Sequence, residues 1–121
     1  MKIKIDYGKN GLHVNLPKNS TILRPLVTNP LENPLKKIMI STSNPINSQP
    51  LEALYKKGML VGVSVCDHTR AQPRNEVIRS IIKKCNGIQK NNLIVFIATG
   101  SHRQSNQSEI NEMFDDEIRC Y

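Results

Sequence analysis

The sequence predicts an α/β fold: a Rossmann-like βαβ core with parallel strands, preceded by an N-terminal β-hairpin. Two apolar runs, Leu60-Val-Gly-Val-Ser-Val65 and Leu93-Ile-Val-Phe-Ile97, have the length and β-branched content of buried strands. One helix-length segment lies between them, and a strand–helix–strand unit of this size makes its strands parallel. Ahead of both, apolar residues alternate on either side of a glycine-bearing turn.

The hairpin comes first along the chain. Ile3, Ile5 and Tyr7 alternate with polar residues, and Leu12, Val14 and Leu16 do the same beyond Gly8-Lys-Asn-Gly11. Period two broken by such a turn predicts two paired strands. His13, among the polar positions, reads as a surface histidine. Residues 17–50 hold six of the seven prolines, which exclude any long regular element. A short helix is expected at 34–39, with Pro34 in its first turn, and another over 50–57, ending before Gly58. Ile22, Leu23, Leu26, Leu35, Ile38 and Ile40 are too many for a disordered linker, so an ordered, meandering connection is expected.

Residues 75–85 are amphipathic, with Val77, Ile78, Ile81, Ile82 and Cys85 on one face and Asn86-Gly87 as the stop. The strand at 93–97 follows, then a last helix at 106–114 with Ser105 as its N-cap. The chain ends at Tyr121 with Ile118 and Tyr121 lacking an expected partner, which reads as a domain cut from a longer protein.

A chain of 121 residues fits one domain. With 4% aromatic residues and no Trp, the core must be aliphatic. Cys66, Cys85 and Cys120 form no CxxC pair, which argues against a zinc ribbon or disulfide framework and for reduced thiols in a cytoplasmic protein. No apolar run approaches the roughly 20 residues that span a bilayer, and the start lacks a signal peptide's apolar block. The net charge of +7 is spread in pairs such as Lys36-Lys37, Lys56-Lys57 and Lys83-Lys84 without interleaved aromatics. That pattern describes a solvated basic surface better than a nucleic-acid groove, and its field favours small anionic ligands.

The chemistry concentrates in two strings, Asp67-His68-Thr69-Arg70 and Ala98-Thr99-Gly100-Ser101-His102-Arg103, each directly after a strand. Parallel strands bring both to one sheet edge, where ligands of open α/β sheets bind. A histidine in a glycine turn suits proton transfer at working pH. Arg70 can hold a carboxylate or phosphate through two parallel hydrogen bonds, and Arg103 can do likewise or point to solvent. Asp67 can orient Arg70, accept from a hydroxyl, or cap the turn through Thr69. Gly100 lets backbone N–H groups approach an anion closely. Either string alone is equally a capped turn; their joint placement favours a site. His68 faces either core or crevice, and Cys66 reads as packing. Cys66, Asp67, His68 and His102 match no known metal-ligand spacing, so no metal ligand is assigned.

At these residues the chain resembles the N-terminal part of the lactate racemase family, the nickel-pincer-nucleotide enzymes. Ser64-Val-Cys-Asp67-His-Thr-Arg70-Ala-Gln-Pro73 is similar to the family's strand plus Asp-x-Thr-Arg-x-x-Pro. Phe96-Ile-Ala-Thr-Gly-Ser-His102-Arg103, with Glu109-Ile following, resembles its Ala-Thr-Gly-Thr-His-Arg loop and next helix. Tyr7-Gly-Lys, and Asn44-Pro45 leading to Pro50-Leu51, fall in the family's order, so the resemblance covers almost the whole chain. Departures are His68 for a usually apolar residue, Ser101 for Thr, and Gln104 where Pro is frequent.

The resemblance implies an isomerase that interconverts enantiomers of a 2-hydroxy acid by hydride and proton transfer with a lysine-anchored nickel-pincer nucleotide. It implies that His102 matches one of two proton-transfer histidines, and that Asp67 and Arg70 match pocket residues; Thr69, Thr99, Gly100, Ser101 and Arg103 complete the candidate site. The lysine anchor, the nickel ligands and the second histidine have no match here. Residues 1–121 are therefore expected to be one N-terminal domain of a two-domain protein, inactive alone, whose partners are a small anionic acid and the rest of the same protein. The alternative is a stand-alone nucleotide- or phosphate-binding module.

Overall fold

Alternation at both ends of the hairpin gives two short strands, β1 (Lys2–Ile5) and β2 (Leu12–Asn15), paired antiparallel with Ile3 opposite Val14. A computed structural model describes residues 1–121, and the chain divides into two compact units, Met1–Pro30 and Leu31–Tyr121. In the first unit the pairing is extended by one rung, because Leu16 N–H donates to the Met1 carbonyl at 2.8 Å. Gly11 closes the turn at φ +70°, and a Cβ there would stand 2.9 Å from the Ile5 carbonyl oxygen, so only glycine fits. Residues 17–30 form no helix or strand. Leu23, Leu26 and Val27 are almost fully exposed, so two of the apolar residues that argued for an ordered connection over 17–50, Leu23 and Leu26, are not packed in a core. Pro17, Pro25 and Pro30 interrupt this stretch and deny the backbone a regular element that would turn one side inward.

The second unit begins with α1 (Pro34–Ser43), capped by the Asn33 side chain, which accepts from Lys36 N–H at 3.0 Å. It runs four residues past the expected end. Ser41 and Thr42 fold their hydroxyls back onto the Lys37 and Ile38 carbonyls, both at 3.1 Å, which removes their competition with the helix. Asn44 then precedes Pro45, which disfavours helix at the residue before it. The short α2 (Leu51–Leu54) follows.

β3 (Val61–Cys66), α3 (Arg74–Lys84) and β4 (Leu93–Ala98) form the expected βαβ unit, each within a residue or so of its expected bounds. β3 and β4 pair in parallel, with Val61 opposite Leu93 and Cys66 opposite Ala98. The helices α4 (Gln107–Met113) and α5 (Asp116–Arg119) close the chain. The cap of α4 is Asn106 rather than Ser105: its side chain accepts from Glu109 N–H while Glu109 reaches back to Asn106 N–H. Ser105 is buried instead, with its hydroxyl unpartnered.

The core is mainly aliphatic, as the composition requires. Val63, Val65 and Leu93 meet Ile78 and Cys85 of α3, Ile88, and the Met113, Phe114 and Ile118 cluster. Ile118 thus has its partner within this chain, which corrects the expectation that it lacks one. Arg79 of α3 holds α5 in place, pairing with Glu117 at 2.9 Å and with Asp115. Its guanidinium pKa is raised by those carboxylates. The opposite sheet face is open: Phe96 is 55% exposed and lies over Gly62. No helix is long and apolar enough to cross a membrane.

Ile78 is fully enclosed at 0% exposure, so Ile78→Ala removes a branched side chain from the contact between α3 and the sheet. The expected loss is about 2–5 kcal/mol of unfolding free energy, read from urea denaturation followed by circular dichroism. A loss within about 0.5 kcal/mol, the range of an ordinary surface change, contradicts this packing.

Candidate functional site

The register that sets Cys66 beside Ala98 releases Asp67 and Thr99 from the sheet side by side. The first loop tightens at once, with Arg70 N–H donating to the Asp67 carbonyl at 3.3 Å. Asp67 Oδ1 accepts from Thr69 N–H at 3.1 Å and from the Thr69 hydroxyl at 2.6 Å, a turn built by an acidic side chain on its own backbone. Two residues of the α3 entry fasten this loop. Gln72 Oε1 accepts from Cys66 N–H at 2.9 Å, and Arg74 Nη2 donates to the Asp67 and Arg70 carbonyls at 3.1 and 2.8 Å.

The second loop turns where His102 N–H donates to the Thr99 carbonyl at 2.9 Å. Gly100 adopts φ +58°, and a Cβ there would meet no heavy atom within 4 Å. The backbone angle rather than crowding therefore calls for glycine.

The loops meet at one contact. Asp67, 3% exposed, places Oδ2 2.6 Å from His102 Nδ1. The Thr69 hydroxyl, then the His102 hydrogen bond, hold the Asp67 carboxyl down to about 2 against the opposing cost of desolvation. An ionised carboxylate only accepts, so Nδ1 carries the proton that completes the bond. In that tautomer the Nε2 lone pair is left away from Asp67, on a side chain 48% exposed.

Asp67, Arg70, Thr99, Gly100, Ser101 and His102 line a cleft of about 270 Å³ together with Cys66 and Ala98. The Arg70 guanidinium has no partner in the chain, whereas those of Arg74 and Arg103 are engaged. Two candidate residues stand elsewhere. Thr69 is not a wall of the cleft but a support behind Asp67. Arg103 is turned away to Glu109, Nη1 to Oε2 at 2.9 Å and Nη2 to Oε1 at 2.6 Å, because a carboxylate of matching fork geometry lies on the next helix. Asp67 faces His102 and Thr69, and not Arg70.

His68 also leaves the cleft, its Nε2 3.2 Å from Glu109 Oε1. Gln72, Arg74 and Glu109 were not read as site residues. Glu109 alone had a usable signal, the Asn106-x-x-Glu109 capping box. No group of three or more His, Cys, Asp or Glu side chains is placed to hold a metal ion.

Among known protein families, the model described as the lactate racemase N-terminal domain matches residues 7–120. No curated protein matches the chain. The family match covers nearly every residue, including both loops of the cleft, and the chain belongs to the lactate racemase N-terminal domain family.

The low Asp67 value fixes a pH dependence. A carboxyl whose pKa lies below its ordinary 3.8 when folded stabilises fully above that pH and loses its contribution as pH falls toward about 2. Asp67→Asn is therefore expected to destabilise the chain at pH 5 and to differ progressively less from the parent between pH 4 and 2. Urea midpoints across that range measure it, and a pH-independent difference contradicts the assignment.

Proposed function

We propose that this member of the lactate racemase family supplies the proton-transfer and anion-binding wall of a site that interconverts enantiomers of a 2-hydroxy acid. The observation that carries the reading is the 2.6 Å Asp67–His102 contact in a cleft shared with the unpartnered Arg70. A buried carboxylate behind Nδ1 selects the tautomer whose Nε2 accepts a proton and stabilises the imidazolium that results. The Arg70 fork suits a substrate carboxylate, held through two parallel hydrogen bonds.

With the acid so held, its C2 hydroxyl lies against Nε2. The O–H bond breaks as the Nε2–H bond forms, and Asp67 balances the new charge through Nδ1–H. Return of that proton to the oxygen completes the cycle on this wall. Thr99, Gly100 and Ser101 line the same cleft, whose volume of about 270 Å³ suits a small acid.

A nickel-pincer nucleotide, expected from the family resemblance, does not fit the residues of this chain on their own. No three-donor cluster exists, and no lysine lines the cleft to anchor a nucleotide covalently. The hydride acceptor, its lysine and the second histidine are therefore assigned to a further part of the protein, and the 121 residues alone to an inactive domain.

In the complete protein, His102→Gln is expected to lower kcat by about 10²–10⁴-fold, the range of a positioned general base. Arg70→Ala is expected to raise KM for the acid. Racemisation followed by polarimetry decides; unchanged turnover in His102→Gln overturns the reading. Phosphate binding without turnover, retained in His102→Ala and lost in Arg70→Ala, favours a binding module instead.

A further inference from the structure

The two loops of the cleft are joined twice, and the second joint lies outside it. Neighbouring side chains in each loop point in opposite senses. Asp67 and His102 meet each other, while His68 and Arg103, the next residue in each case, both reach Glu109. Strand pairing fixes only the loop bases, at Cys66 and Ala98. His102 lies four residues beyond the ladder, past a glycine turn and half exposed, so the sheet alone does not set its place.

We infer that Glu109 is a positioning residue for His102: its carboxylate ties the Asp67 loop to the His102 loop and holds the imidazole against Asp67. The inference rests on the proton-transfer reading of His102. Glu109 is well suited to the task. It is seated in the first turn of α4, its side chain 17% exposed, and Oε2 accepts from Asn106 N–H at 2.9 Å. Arg103 and the Asn106 N–H keep its carboxyl down at about 2, so it stays an acceptor at any working pH. The helix cap needs only one of the two oxygens, and glutamine serves there as well. The other oxygen accepts from Arg103 Nη2 at 2.6 Å and lies 3.2 Å from His68 Nε2, neither of which a cap requires. Glu109→Gln therefore separates the two functions, because its amide oxygen keeps the cap while its N–H group faces Arg103 Nη2, which now donates there, and His68 Nε2, which stands 3.2 Å away.

The test reads the His102 tautomer in the ¹⁵N-labelled 121-residue chain by long-range ¹H–¹⁵N correlation of the imidazoles at neutral pH, with His102→Gln identifying the signals. The parent is expected to show the Nδ1–H form. Asp67→Asn is the control: Thr69 holds the new amide's carbonyl, its NH₂ faces Nδ1, and the tautomer inverts. Glu109→Gln is expected to lose the single Nδ1–H form and give a mixture, with far-UV circular dichroism unchanged. If Glu109→Gln does not fold, Arg103→Met cuts the same tie from the other end without touching the cap, and the same loss is expected. A response to Asp67→Asn with none to Glu109→Gln or Arg103→Met overturns the inference and leaves the Asp67–His102 pair standing. No response to Asp67→Asn overturns that pair, and the role of Glu109 with it.

Discussion

When β3 and β4 pair in parallel with Cys66 opposite Ala98, the chain must leave both strands at the same height and in the same direction. Every feature of the cleft depends on that register. A slip of one residue reverses which side chains face the core, and separates residue 67 from residue 99. The register is secured from behind by Val63, Val65 and Leu93 against Ile78, and α3 spans the distance between the strand ends. Burial of apolar surface thus brings the loop of an acid beside the loop of a histidine 35 residues away, and the polar contacts complete the alignment.

Three arginines flank the loops, and their different roles show how a basic chain acquires a specific anion site. Arg74 is spent on two backbone carbonyls, and Arg103 on Glu109. Arg70 alone keeps its fork available to the cleft. A net charge of +7 does not distinguish these three, since the distinction comes from which acceptors lie within reach. The acids divide similarly. Asp67 is consumed by Thr69 and His102, and Glu109 by Arg103, His68 and the α4 cap, so neither carboxylate repels an incoming anion with a free lone pair directed at it.

Much of this was legible in the sequence. Strands β3 and β4 and helix α3 were readable because each is long enough to show its period and is bounded by Gly, Pro or Asn. The pairing of the two polar strings followed from topology. Side-chain direction was not legible: Arg103 and His68 belong to the same strings as His102 and Asp67, yet point to Glu109. Helix α5 escaped because four residues show no periodicity, although Ile118 makes it part of the core. At α4, Ser105 and Asn106 are both good caps by type. The choice fell to Asn106 because Glu109 stands three residues after it and answers its backbone N–H.

The sheet that builds the cleft has only two strands, so each has one edge with no neighbour in the ladder. β4 reads Leu-Ile-Val-Phe-Ile-Ala, six residues with strong extended propensity, no charge, no proline and no glycine. Such a segment, once detached from β3, is a template for stacking with copies of itself. The nearest charged residues in sequence are Lys90 before it and Arg103 after it, and neither lies within the segment. Keeping this segment from such stacking therefore depends on the same strand pairing that brings the Asp67 and His102 loops together. Conditions that loosen that pairing threaten solubility and the cleft together.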